Sequence, residues 1–159
     1  MLRKQPLRER TEDPPGPGEI DVAAAATVLV TSEDPAHPVE NVFDGRRGPG
    51  ASCWVAGTDG EQTLVLAFDA PASLNRVVLE VEETAVARRQ ELLLSVSCDG
   101  GHTYREVLRQ EYNFSAPGTT FEREEWVVRA DGVTHLRLSI KPDKGGKPCR
   151  ARITSLALS

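Results

Sequence analysis

HLRLSI, residues His135–Ile140, alternates apolar and polar side chains without a break: Leu136, Leu138 and Ile140 share one face, Arg137 and Ser139 the other. A pleated strand turns successive side chains to opposite sides, so this pattern predicts a strand buried on one face only. The same alternation recurs along the chain. Thr63–Phe68 aligns Leu64, Leu66 and Phe68, Arg76–Val81 aligns Val77, Leu79 and Val81, and Glu91–Ser97 aligns Leu92, Leu94 and Val96. With Thr27–Thr31, Tyr104–Gln110, Trp126–Ala130 and Arg152–Leu158, the expected count reaches about eight strands. Asp99-Gly100 and Asp131-Gly132 read as turns between neighbours. No segment sustains a helical period, the short Ala23–Ala26 apart. The predicted fold class is therefore all-β, an antiparallel β-sandwich of jelly-roll type over residues 20–159.

Composition narrows the function. At 159 residues the chain fits one domain with a core of its own. A net charge of -5 opposes a generic phosphate-binding surface, because affinity for nucleic acid rests on clustered Lys and Arg. Residues 1–19 are charged and rich in Pro and Gly, with too little apolar surface to offset the entropy of ordering, and are expected to be a disordered tail. They hold no apolar core behind their charges, hence neither a secretory signal nor a membrane span. With Met1 as the natural start, a cytoplasmic location is expected. Cys53, Cys98 and Cys149 are an odd set without zinc-ligand spacing, and free thiols follow from that compartment.

Two motifs carry more local information. Ser97–Tyr104, SCDGGHTY, fits the Asp box, in which a carboxylate and hydroxyls bond the backbone of a tight hairpin while the closing aromatic packs beneath. A structural role is expected for it, with a ligand site as the alternative. Thr31–Trp54, TSEDPAHPVENVFDGRRGPGASCW, is rich in turn formers and reads as a long structured loop. Its Glu-Asn-x-x-Asp-Gly followed by Ser-x-Trp resembles the opening loop of the discoidin, or coagulation factor 5/8 type C, family of galactose-binding-like sandwiches. The Ser-x-Asp-Gly with a following aromatic at 97–104 adds to that resemblance, and together the motifs span roughly Thr27 to Leu158.

The resemblance implies a binding module whose loops at one end form the binding face. It also implies a structural Ca2+ held by Asp44, with the Ser52 hydroxyl and the carbonyls of Asn41 and Arg46 completing the donors. Relatives often add a glutamate from the last strand, where this chain has Thr154 and Ser155. A metal-free turn cap is the open alternative for Asp44. Trp54 falls where relatives bury a core tryptophan, with sugar stacking as the lesser option.

From the residues themselves, Tyr112–Phe121, YNFSAPGTTF, reads as a long hairpin connection, and Tyr112, Asn113 and Phe114 are its candidate ligand contacts. A loop that merely covers the sandwich end is the alternative. The run 141–152, KPDKGGKPCRAR, adds Lys141, Lys144, Lys147 and Arg150 as a local positive surface for a carboxylate or phosphate, or else a solvated hairpin. His37, His102 and His135 accompany no nucleophile elbow, phosphate loop or zinc motif, so no catalysis is expected.

Three functions remain in view. The first is recognition of a glycan or other polar or anionic ligand, and the second is a protein-interaction or scaffold module. The scaffold reading draws on discoidin-like subunits of the intraflagellar transport machinery, whose opening loop has a similar Thr-Ser, His-Pro, Glu-Asn and Asp-Gly order. The third, recognition of DNA ends or breaks, is opposed by the net acidity.

Overall fold

A computed structural model of the protein describes residues 18–159, so the expected tail lies outside the described residues as far as residue 17. The fold is already under way at Glu19, which pairs with Arg47, and the Ile20 N–H bonds the Leu158 carbonyl at 2.8 Å. One helical turn, α1 (Val22–Ala25), is capped by the Asp21 side chain and leads into β1 (Ala26–Val30). The strands that follow are β2 (Trp54–Val55), β3 (Gln62–Glu82), β4 (Arg88–Ser97), β5 (Arg105–Phe114), β6 (Phe121–Lys141), β7 (Arg152–Ile153) and β8 (Ser155–Leu158). Among the described residues no helix is long and apolar enough to cross a membrane.

The antiparallel sandwich is as expected and its strands again number eight, but they divide differently, two of them being far longer than expected and Arg152–Leu158 splitting into β7 and β8. Thr63–Phe68 and Arg76–Val81 are two halves of the 21-residue β3, and Trp126–Ala130 and His135–Ile140 are two halves of the 21-residue β6. These two strands pair along their whole length, with register shifts between Ala67, Ala72, Leu74 and Arg76. Such irregularities bend a pair and let it pass from one layer to the other. Asp131-Gly132 is therefore a bend inside β6, with Gly132 at φ +64, rather than a hairpin turn.

One layer runs β1-β3-β6-β4-β5, and beyond the bend β3 pairs with β8 in the other. The inward phase of both layers forms one core: Leu64, Leu66, Leu92, Leu94, Leu136 and Leu138 meet Val77, Leu79, Val81, Leu156 and Leu158. Fully burying each leucine is worth about 1.5–3 kcal/mol relative to exposure, which is why the period-two signal held.

Candidate functional site

Four connections converge at one end of the sandwich. Glu83 N–H bonds the Thr120 carbonyl at 2.8 Å, joining segment 83–87 to segment 115–120. Lys144 N–H bonds the Arg89 carbonyl at 2.7 Å and Lys147 Nζ bonds the Ala87 carbonyl at 2.9 Å, which fixes the basic segment 141–152 beside them. The opening loop closes the group, because Gly48 N–H bonds Glu80 Oε1 at 2.7 Å and Gly50 N–H bonds Glu82 Oε1 at 3.0 Å. The end-loop cluster expected from the resemblance is thus formed.

What braces it is Arg88, a residue that sequence reasoning missed. Its side chain is fully buried, and Nη1 donates to the carbonyls of Arg150 at 2.7 Å and Pro142 at 3.2 Å. Nε lies 3.0 Å from Glu83 Oε1 as an ion pair whose angle does not make a hydrogen bond, and Nη2 has no hydrogen-bond partner among the described residues. Beside it Gln90 copies a strand partner, its Oε1 accepting the Arg152 N–H at 3.3 Å and its Nε2 donating to the Arg152 carbonyl at 3.1 Å. The alternation of β4 begins at Arg88 and puts Arg88 and Gln90 inward with Leu92 and Leu94. Extending the Leu92–Leu94 phase backwards by four residues is the signal that finds them.

Tyr112 and Phe114 need correcting. They close β5 rather than occupying a loop, and at 1% and 2% exposure they belong to the core. Their rings pack 6.3 Å apart, so neither offers a face to a ligand. Burial pushes the Tyr112 phenol well above its usual range, and its hydroxyl has no hydrogen-bond partner among the described residues. Asn113, one step out of phase, is exposed opposite Arg89. Trp54 is likewise core, its Nε1 donating to the Ser32 carbonyl at 3.0 Å.

The basic segment is exposed as expected but not an open positive surface. Lys141 Nζ lies 3.7 Å from Glu61, Lys144 pairs with Glu111 and lies 3.9 Å from Glu91, and Arg150 lies 3.9 Å from Asp34. Lys144 holds the Glu111 carboxyl below its usual range by hydrogen bonding. Asp143, depressed chiefly by the Arg89 N–H and then by the Lys147 N–H, caps the segment from within. Pairs of this exposure are individually weak, yet they cancel much of the field that an anion would feel.

Asp44 is buried, its Oδ1 accepting the Arg46 N–H at 2.9 Å and its Oδ2 accepting the Ser52 hydroxyl. Asn41 uses its Nδ2 on the Cys53 carbonyl at 2.9 Å. Calcium takes roughly six to eight oxygens, usually from more than one carboxylate. No group of three or more His, Cys, Asp or Glu side chains is placed to hold a metal among the described residues. The donor set does not fit a tight calcium site, and the hydrogen bonds fit a turn cap.

At the opposite end, Asp99 accepts from Ser97 Oγ at 2.6 Å, from the Thr103 N–H at 2.9 Å and hydroxyl at 2.5 Å, and from the His102 N–H at 3.1 Å. Tyr104 packs under the Arg137 guanidinium at 3.9 Å. The Asp box is a built turn.

Taken together, the fold is that of the galactose-binding-like, or discoidin-like, β-sandwiches. A family 32 carbohydrate-binding module from a family 31 glycoside hydrolase of Clostridium perfringens superposes with a TM-score of 0.64 at 14% identity, over 88% of this chain and 93% of that one. The family 32 module of NanJ from the same organism, solved with galactose, gives 0.63 at 14% identity, over 88% and 96%. The family 32 module of AlyQ, solved with 4,5-unsaturated mannuronic acid, gives 0.57 at 16% identity, over 85% and 95%. No family model and no curated relative matches the sequence.

Proposed function

We propose that this chain is a non-catalytic binding module that takes a glycan or a comparable polar, hydroxyl-rich ligand at the sandwich end where segments 83–87, 115–120 and 141–152 meet. The observation that carries the reading is the juxtaposition of exposed Asn113 on β5, Arg89 on β4 and Lys144 in segment 141–152, a segment that buried Arg88 holds by its carbonyls. An amide, a guanidinium and an ammonium on a rigid base supply the donors and acceptors that sugar hydroxyls need. The solved neighbours with galactose and with 4,5-unsaturated mannuronic acid support this ligand class. The internal ion pairing makes the preference for anions modest.

A glycan array followed by calorimetry tests it. Binding to at least one glycan is expected, with Lys144→Glu and Lys147→Glu weakening acidic glycans more than neutral ones. An array without any hit overturns the reading.

A protein-interaction module is the second reading. It is supported by Leu29, 55% exposed on an edge strand, and Val127, 74% exposed on β6. The likeness of the opening loop to transport-scaffold subunits points the same way. Capture of a defined protein partner whose binding is lost in Val127→Ser would favour it over the glycan.

A further inference from the structure

The outer face of the five-stranded layer holds a groove of about 510 Å³ that lies on the sheet itself, away from the core. Register places its residues in two rows. Thr63 stands opposite Ser139, Ser139 opposite Leu93, and Leu93 opposite Arg109, a row crossing β3, β6, β4 and β5. Two residues along, Lys141 stands opposite Glu91, and Lys141 reaches Glu61 at 3.7 Å. Four strands about 4.8 Å apart make the floor about 14 Å across.

We infer that this groove is a second ligand site, on the sheet face beside the end loops and meeting segment 141–152 at Lys141, that takes an uncharged oligosaccharide of a few sugar units. The inference rests on the glycan-binding reading and adds a location and a charge class to it.

Charge balance decides the class. Two carboxylates, Glu61 and Glu91, face two cations, Arg109 and Lys141, so the lining sums to zero. An anion would leave Glu91 opposed and a cation would leave Arg109 opposed, whereas a neutral polyol meets both kinds of group at once. Arg109 Nη1 lies 2.5 Å from Glu91 Oε1, so carboxylate and guanidinium stand side by side. Adjacent sugar hydroxyls can donate to one and accept from the other, as charge-assisted hydrogen bonds.

The floor is equally specific. Thr31 has spent its hydroxyl on the backbone of Thr63, donating to its carbonyl at 3.1 Å and accepting its N–H at 2.8 Å, which seals the β1 side. The hydroxyls of Thr63 and Ser139 have no hydrogen-bond partner among the described residues and face the groove. Leu93 supplies the one half-exposed apolar patch at mid-floor, against which a sugar ring face can rest. The volume is within the usual range for small-ligand sites, roughly 300–1,000 Å³, but the lining is too polar for an apolar ligand. Without an aromatic platform, affinity is expected near about 1 mM.

The experiment follows amide shifts of the labelled full chain during titration with N-acetylgalactosamine-β-1,3-galactose as the neutral probe and a mannuronate disaccharide as the charged one. Expected are shifts at Thr63, Leu93 and Ser139 with the neutral probe, weakened at least about fivefold by Glu91→Gln and abolished by Ser139→Trp. Glu91→Gln keeps the shape of the groove, so it remains informative if the tryptophan variant fails to fold. The inference is overturned, with the glycan reading intact, if a sugar binds but shifts only segments 83–87 and 115–120 and Glu91→Gln leaves its affinity unchanged. A chain that binds no glycan on the array or in the titration overturns both.

Discussion

At the Asp-box end, Asp99 collects its partners from Ser97, His102 and Thr103, all within four residues of itself, whereas at the loop end Arg88 reaches carbonyls 54 and 62 residues away. The first set forms with the turn that carries it. The second exists only after β3, β4 and segment 141–152 have been brought together by the core. A local network costs little loop-closure entropy and is repeated in sequence as a motif, while a long-range network depends on packing and leaves no motif behind. The loop end, where binding is proposed, is consequently the end whose order depends on the whole fold.

Breaking the long-range side should have the largest effect. Arg88→Met leaves Glu83 buried without its cation and frees the carbonyls of Pro142 and Arg150. Removing one partner of a buried pair costs about 3–5 kcal/mol, so a large fall in melting temperature is expected, with amide exchange speeding up first across 141–152. A variant as stable as the parent would show that the loop end does not need Arg88. The double variant Arg88→Met with Glu83→Leu should recover much of the loss, since a matched apolar pair can replace a buried ion pair.

Tyr112 sharpens the contrast by separating packing from binding. Because the ring is core, Tyr112→Ala should cost about 3–5 kcal/mol through the cavity it leaves. Tyr112→Phe removes a buried hydroxyl without a hydrogen-bond partner among the described residues and should raise stability by about 1 kcal/mol. Glycan affinity should be unchanged in the Phe variant, as measured by calorimetry. A loss of affinity there would return the hydroxyl to the ligand site.

The Asp-box end should answer to acid. The hydroxyls of Ser97 and Thr103, then the Thr103 N–H, hold the Asp99 carboxyl far below its unfolded value of 3.8. Its stabilisation is present above that value and lost as pH falls through the folded one. Chemical denaturation from pH 6 down to pH 2 should therefore show stability falling below about pH 4, and Asp99→Asn should start lower and flatten that limb. An unchanged limb in the variant would assign the acid response to other depressed carboxyls, Asp34, Glu111 and Asp143.

These two ends also explain what the sequence revealed. Alternation at Leu64–Leu66, Leu92–Leu94 and Leu136–Ile140 was readable because burial acts on every second residue, and SCDGGHTY was readable because its bonds are local. Strand lengths were not, since Asp131-Gly132 has the same composition in a bend as in a hairpin and only its pairing tells them apart. Tyr112 and Phe114 were misplaced for a related reason: the polar Glu111 and Asn113 between them look like a loop, but they are the outward phase of an edge strand. The charge of the basic segment was overestimated, because its partners Glu61, Glu91 and Glu111 come from distant parts of the chain.

The smallest expected effect concerns the opening loop, which mixes the two regimes: Asp44 bonds Arg46 two residues away and Ser52 eight residues away, and it belongs to no metal-holding group of three or more His, Cys, Asp or Glu among the described residues. We propose that any calcium here binds weakly, with a dissociation constant of order 1 mM. Stabilisation by a ligand follows the logarithm of its concentration over that constant, so about 10 μM calcium should shift the melting temperature by nothing measurable, and 5 mM should add about 1 kcal/mol. Asp44→Asn keeps an oxygen for the Arg46 N–H and loses the charge, so its baseline stability should stay near the parent's while the millimolar response disappears. A shift of several degrees at micromolar calcium would mean that loop carbonyls complete a tight site around Asp44. The opening loop would then be ordered by an ion, and local hydrogen bonds would not suffice to hold this part of the loop end.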